Sequence, residues 1–132
     1  MISEYLTTVL RDWRGSANDF PKNRIENARW PIPFFGNPAK ALIATVGVNP
    51  SSTEFEFSRG WADVKTPSDW KRRLRDYFNH KTPPHDWFEP WRRGLELLGM
   101  SYEQGTAAHF DVSYRTTTAM LTNKATDRPE FG

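Results

Sequence analysis

Residues 40–53 read Lys-Ala-Leu-Ile-Ala-Thr-Val-Gly-Val-Asn-Pro-Ser-Ser-Thr, and they constrain the fold of this chain more than any other stretch. Ala41 to Val46 is a short apolar run rich in strand-favouring residues. Its length and composition predict a strand buried on both faces, as in a parallel sheet. The run then breaks at Gly47, Asn49 and Pro50. Gly47 permits a tight turn or a close backbone approach to a ligand, and Pro50 ends the strand because it has no N–H to donate. Asn49 and Ser51 to Thr53 supply polar groups just past the carboxyl end of the strand, which is where open α/β sheets bind ligands. The same residue types also build ordinary turns, so their chemistry depends on what the rest of the chain places around them.

Four further elements are predicted, three helices and a second strand. Ile2, Tyr5, Leu6, Val9, Leu10 and Trp13 recur at steps of three and four, which makes residues 3–14 an amphipathic helix stopped by Gly15. Thr66-Pro67-Ser68-Asp69 opens a second helix: Thr66 can cap it, Pro67 suits its first position, and Asp69 sits at the positive end of the dipole. Trp70, Leu74 and Tyr77 or Phe78 form its inner face. The third helix is Trp87 to Leu98, with Trp87, Trp91, Leu95 and Leu98 on one stripe and Gly99 as its stop. A second strand is predicted over residues 106–114, where Phe110, Val112 and Tyr114 face one way and His109, Asp111 and Ser113 the other. Trp30-Pro31-Ile32-Pro33-Phe34-Phe35 can be extended but not central, because its prolines cannot donate, and it is expected to cover one side of the sheet.

The chain of 132 residues suits one domain, 1–132. It has no cysteine, which excludes disulfides, thiolate metal sites and a cysteine nucleophile. No apolar run approaches the roughly 20 residues needed to span a bilayer, and the start Met-Ile-Ser-Glu-Tyr lacks the pattern of a signal peptide; a cytoplasmic protein without a membrane partner is the expectation. The net charge of +2 permits nucleic-acid binding without arguing for it. The clustering says more: Lys71, Arg72, Arg73 and Arg75 fall together, and Arg92 and Arg93 form a second pair. Either group could contact phosphates or be a solvated helix face. Six tryptophans and nine phenylalanines exceed what a core of this size needs, so some rings are expected at a groove or interface.

Gly47-Val48-Asn49-Pro50-Ser51 resembles the first catalytic motif of the uracil-DNA glycosylase superfamily, in particular the mismatch-specific uracil and thymine glycosylase branch, where Gly-x-Asn-Pro follows the first strand. The tryptophan-rich helix Trp87 to Met100 and the strand His109 to Thr117 sit where that family would put them. The resemblance covers roughly residues 31–121. It implies a three-layer α/β fold with a parallel sheet, incomplete in this chain. The family's second motif, His-Pro or Asn-Pro followed by a small residue, does not follow residue 121. The chain is therefore expected to be the amino-terminal part of a longer glycosylase-like domain, or a reduced relative that completes its sheet by self-association.

The resemblance also implies roles. Asn49 would orient the water that attacks C1′ of an extruded nucleotide while the base leaves as an anion. Gly47, Val48, Pro50 and Ser51 would shape the pocket, and Phe55 or Phe57 would stack on the base. A polar residue on the second strand, His109 or Asp111, would read the base edge; an ionised Asp only accepts hydrogen bonds, so it suits a base presenting donors. His109, Asp111 and Ser113 do not form a hydrolytic triad, because residues in a row about 7 Å apart do not converge. His80, His85 and Asp86 flank a proline loop without ligand geometry, so neither a metal nor another cofactor is expected. The implied function is hydrolysis of the N-glycosidic bond of a damaged or mismatched, uracil-type base in DNA. Two alternatives stay open: a non-catalytic nucleic-acid-binding module of the same fold, and a small-molecule hydrolase or nucleotide-binding α/β domain.

Overall fold

The computed structural model describes residues 2–15, 30–48, 50 and 60–114. The order of elements is helix α1 (Ile2–Gly15), strand β1 (Phe34–Phe35), strand β2 (Ile43–Gly47), helix α2 (Pro67–Arg75), helix α3 (Glu89–Leu97) and strand β3 (Ala107–Asp111), with 3₁₀ turns at Tyr77–Asn79 and Asp86–Phe88. This is a mixed α/β arrangement. The sheet is mixed as well: among the described residues it has three strands in the order β1-β3-β2. β2 and β3 are parallel, with Thr45 beside His109 and Gly47 beside Asp111. β1 runs antiparallel to β3, pairing Phe34 with Phe110 and Phe35 with His109.

Two expectations are corrected here. The sheet is not wholly parallel, because the proline-punctuated segment supplies its own short edge strand. Pro33 contributes only its carbonyl, which accepts from the Asp111 N–H at 3.1 Å, and Ile32 N–H donates to the Tyr114 carbonyl at 2.8 Å. A proline can serve such an edge because the carbonyl is all that is asked of it. Nor is β2 buried on both faces. β3 is the central strand, while Val46 is 57 % exposed and Leu42, just before β2, 76 %. An apolar run shows that a segment can be buried, not which other segments arrive to bury it.

The helix ends are as local chemistry dictates. The Asp69 N–H donates to Thr66 Oγ1 at 3.1 Å, and the Thr66 N–H donates to Asp69 Oδ2 at 3.3 Å, a reciprocal capping box. Thr66→Ala is expected to lower stability by about 0.5–2 kcal/mol and Thr66→Ser to keep it, read from urea midpoints; equal midpoints for all three proteins would remove the cap from the account. At the other end of the chain's helical region, Gly99 takes φ +70. Its N–H reaches the Glu96 carbonyl and that of Met100 reaches Leu95, the paired bonds of a Schellman stop.

The core is largely aromatic. Phe35 stacks on Tyr77 with ring centres 3.7 Å apart, Phe78 on Tyr102 at 4.2 Å, and Phe88 meets Phe35, Tyr77, Phe78 and Tyr102 edge-on. Trp13, Trp30 and Trp70 form a second column, and the fully buried Trp70 donates from Nε1 to the Pro31 carbonyl at 2.7 Å. α1 contributes buried Leu6, Val9 and Leu10, and its Tyr5 stacks on Phe34. Most rings of the described residues thus lie in the core, against the expectation of a surplus for a groove. Tyr5, Trp87 and Trp91 are the exceptions, at 46 %, 38 % and 40 % exposed. The inner stripe expected of α3 shifts accordingly: Phe88 and Leu95 are buried, and Leu98 is 61 % exposed. At the amino end, the 3₁₀ turn at Asp86–Phe88 takes Trp87 out of the regular helix. It has three residues per turn, so a stripe drawn at 3.6 residues per turn cannot be run back to Trp87.

Candidate functional site

At the carboxyl ends of the parallel pair β2 and β3, side chains alternate so that Thr45, Gly47, His109 and Asp111 share one face. A continuous hydrogen-bonded chain runs along it. Tyr102 Oη lies 2.6 Å from Thr45 Oγ1, Thr45 Oγ1 lies 2.9 Å from His109 Nδ1, and His109 Nε2 lies 3.3 Å from Asp111 Oδ1. The His109 and Asp111 side chains are 3 % and 5 % exposed. Trp87 and Phe88 meet the imidazole in T-shaped contacts, each with ring centres 5.1 Å away. Phe88 belongs to the core, whereas Trp87 is 38 % exposed.

Gly47 has a reason for being glycine other than turning. Its φ is not among the positive ones. A Cβ built on it would lie 2.9 Å from Asp111 Oδ1 and 3.0 Å from His109 Nε2. The missing side chain is the space that the His–Asp pair occupies. Beyond the strand, the N–H groups of Val112 and Ser113 donate to the Gly47 and Val48 carbonyls at 3.0 and 2.9 Å, so β3 holds the first residues of the motif in place. Val48 is 41 % exposed, while Pro50 is buried.

Burial pushes the Asp111 carboxyl above its ordinary 3.8, and the hydrogen bond and charge of His109 pull it partway back. The folded protein therefore holds this proton more tightly than the unfolded chain. The stability it contributes is full below 3.8 and is lost as pH rises through the raised value. Asp111→Asn is expected to remove that slope, so that the variant gains stability relative to wild type as pH climbs from 3.8 towards neutrality. Denaturation midpoints across this range that stay a constant distance apart would contradict it.

The structure brings Gly47, Val48, His109 and Asp111 together. Asn49, Ser51, Phe55 and Phe57 lie outside the described residues. Ser113, on the same predicted face, instead uses its N–H to hold Val48. The basic cluster of α2 does not stay together. Arg73 is 4 % exposed, with its guanidinium 4.7 Å over the Tyr77 ring and 5.5 Å over Trp61. That corrects its reading as a phosphate contact: an Arg under two rings is a core residue. Arg72 and Arg75 are exposed but face Asp69 and Asp76, at 3.5 and 2.9 Å; Lys71 is half-buried. α2 packs against β1, across β3 from β2. Arg92 bridges Glu89 and Glu103. The Nδ1 atoms of His80 and His85 accept the backbone N–H groups of Thr82 and Trp87.

Sequence reasoning missed Thr45, Tyr102 and Trp87 as parts of this face. Thr45 had one available signal, a hydroxyl inside an apolar run in a position two residues before Gly47. Tyr102 had none, because its place depends on how residues 98–106 return to the sheet. Comparison with protein-family models, with characterised proteins and with solved structures found no match for this chain.

Proposed function

We propose that the chain carries a uracil-DNA glycosylase-like site and hydrolyses the N-glycosidic bond of a damaged or mismatched base in DNA. The observation that carries this reading is the His109–Asp111 pair seated over the bare backbone of Gly47, at the carboxyl ends of two parallel strands. A base edge placed there meets a polar pair on β3, while the sugar lies towards the motif that begins at Gly47. Asn49 orients the attacking water. Trp87 offers the exposed ring at the rim, and ionised Asp111 selects an N–H on the base edge because it can only accept.

The test uses duplex oligonucleotides carrying uracil opposite guanine, with a panel of other deaminated and damaged bases, and alkaline strand cleavage as the readout. Base release is expected from at least one substrate, and Asn49→Ala is expected to lower it by about 10²-fold, as for loss of one positioning group, with DNA binding little changed. Release from none of the panel overturns the glycosylase reading. Binding to undamaged DNA without release would favour the non-catalytic module instead.

A further inference from the structure

The chain of groups from Tyr102 to Asp111 has a direction. Tyr102 is 2 % exposed, and burial, opposed by the Thr45 hydrogen bond, pushes its phenol up, so it keeps its proton. Among the described residues that phenol has Thr45 Oγ1 as its hydrogen-bond partner. If Tyr102 did not donate to Thr45, a buried O–H would be left without an acceptor, which folded proteins avoid. Once Thr45 Oγ1 accepts, its own proton has one partner left, His109 Nδ1 at 2.9 Å. A protonated Nδ1 would again strand the Thr45 hydrogen. In the neutral ring Nδ1 therefore accepts, and the proton sits on Nε2, the atom facing Asp111 Oδ1.

We infer that Tyr102 and Thr45 are positioning residues that hold His109 as the tautomer protonated on Nε2, aimed at Asp111. The chain of donors then ends on the carboxylate, and Asp111 is left with acceptor capacity only. A ligand at the Gly47 end is recognised through an N–H donor, the edge of an amide, imide or exocyclic amine. That use in recognition rests on the glycosidic-bond reading. The tautomer does not.

The experiment is long-range proton–nitrogen correlation on the full chain with ¹⁵N-labelled histidine, at about pH 8, above the ordinary imidazole range. The chain has three histidines, and His109→Gln identifies the signals of residue 109 by their loss. Wild type is expected to show two well-separated nitrogen signals, with the proton on Nε2. Thr45→Val should move the two signals towards each other as the second tautomer fills, and Thr45→Ser, which restores the hydroxyl, should return them. Tyr102→Phe removes a single oxygen and should move them in the same direction as Thr45→Val; it decides the matter if Thr45→Val does not fold. A proton on Nδ1 in wild type overturns the proposal, as do unchanged signals in Thr45→Val or, where that variant does not fold, in Tyr102→Phe. Absence of base release would leave these signals as they are, so the two readings fail separately.

Discussion

Trp70→Ala is expected to cost about 3–5 kcal/mol of stability, the range for truncating a large buried aromatic. Trp70 has no exposed surface, stacks on Trp30 with ring centres 6.2 Å apart, and donates from Nε1 to the Pro31 carbonyl at 2.7 Å. Its loss opens a cavity between α2 and the segment leading into β1. It also leaves the Pro31 carbonyl without that donor. Small domains have about 5–15 kcal/mol in total, so the variant should melt on the order of 10–20 °C lower. Trp70→Phe separates the two causes. It keeps a ring and loses the N–H, and should recover part of the deficit. A melting shift of a few degrees for Trp70→Ala would mean that the tryptophan column of Trp13, Trp30 and Trp70 is peripheral to the cooperative unit.

Gly47→Ala is the smallest substitution with a large expected effect. One methyl group would stand 2.9 Å from Asp111 Oδ1 and 3.0 Å from His109 Nε2. Those atoms are the buried ends of short side chains that are hydrogen-bonded to each other. Overpacking of this kind costs about 1–3 kcal/mol. The functional consequence should be larger than the loss of stability, because a displacement of about 1 Å in a positioned group can cost about 10²-fold in rate. In the base-release assay Gly47→Ala should therefore lose at least that factor while remaining folded below its melting temperature. The His109 nitrogen signals should move as well, since Nε2 is the atom displaced. A variant with wild-type signals and wild-type release would show that the pair accommodates a Cβ, and the space argument for Gly47 would fall.

Some of this protein was legible because the physics is local. The Thr66 capping box and the Gly99 stop each close within a few residues, so the side chains involved name their own partners. The alternation that puts His109 and Asp111 on one face follows from the pleat of a strand, but their hydrogen bond does not: residues in a row are not expected to converge, and the two side chains lean together to 3.3 Å. The break after Val46 ends β2 at Gly47, one residue on. Glycine at that position was legible too, though not its reason: backbone freedom and empty space look the same in a sequence.

The remainder needed the tertiary structure. Which strand is central, and that the proline segment pairs with it at Phe34–Phe35, depends on where separate segments come to rest. The same is true of Arg73, whose charge marks it for a surface until Trp61 and Tyr77 close over it. The proton chain of the candidate site is the extreme case, with Tyr102 lying 57 residues from Thr45. Local hydrogen bonds and backbone sterics act over one helical turn and are written in neighbouring residue types. The donor to His109 is chosen by packing between elements far apart in the chain, and no pattern of neighbours encodes that.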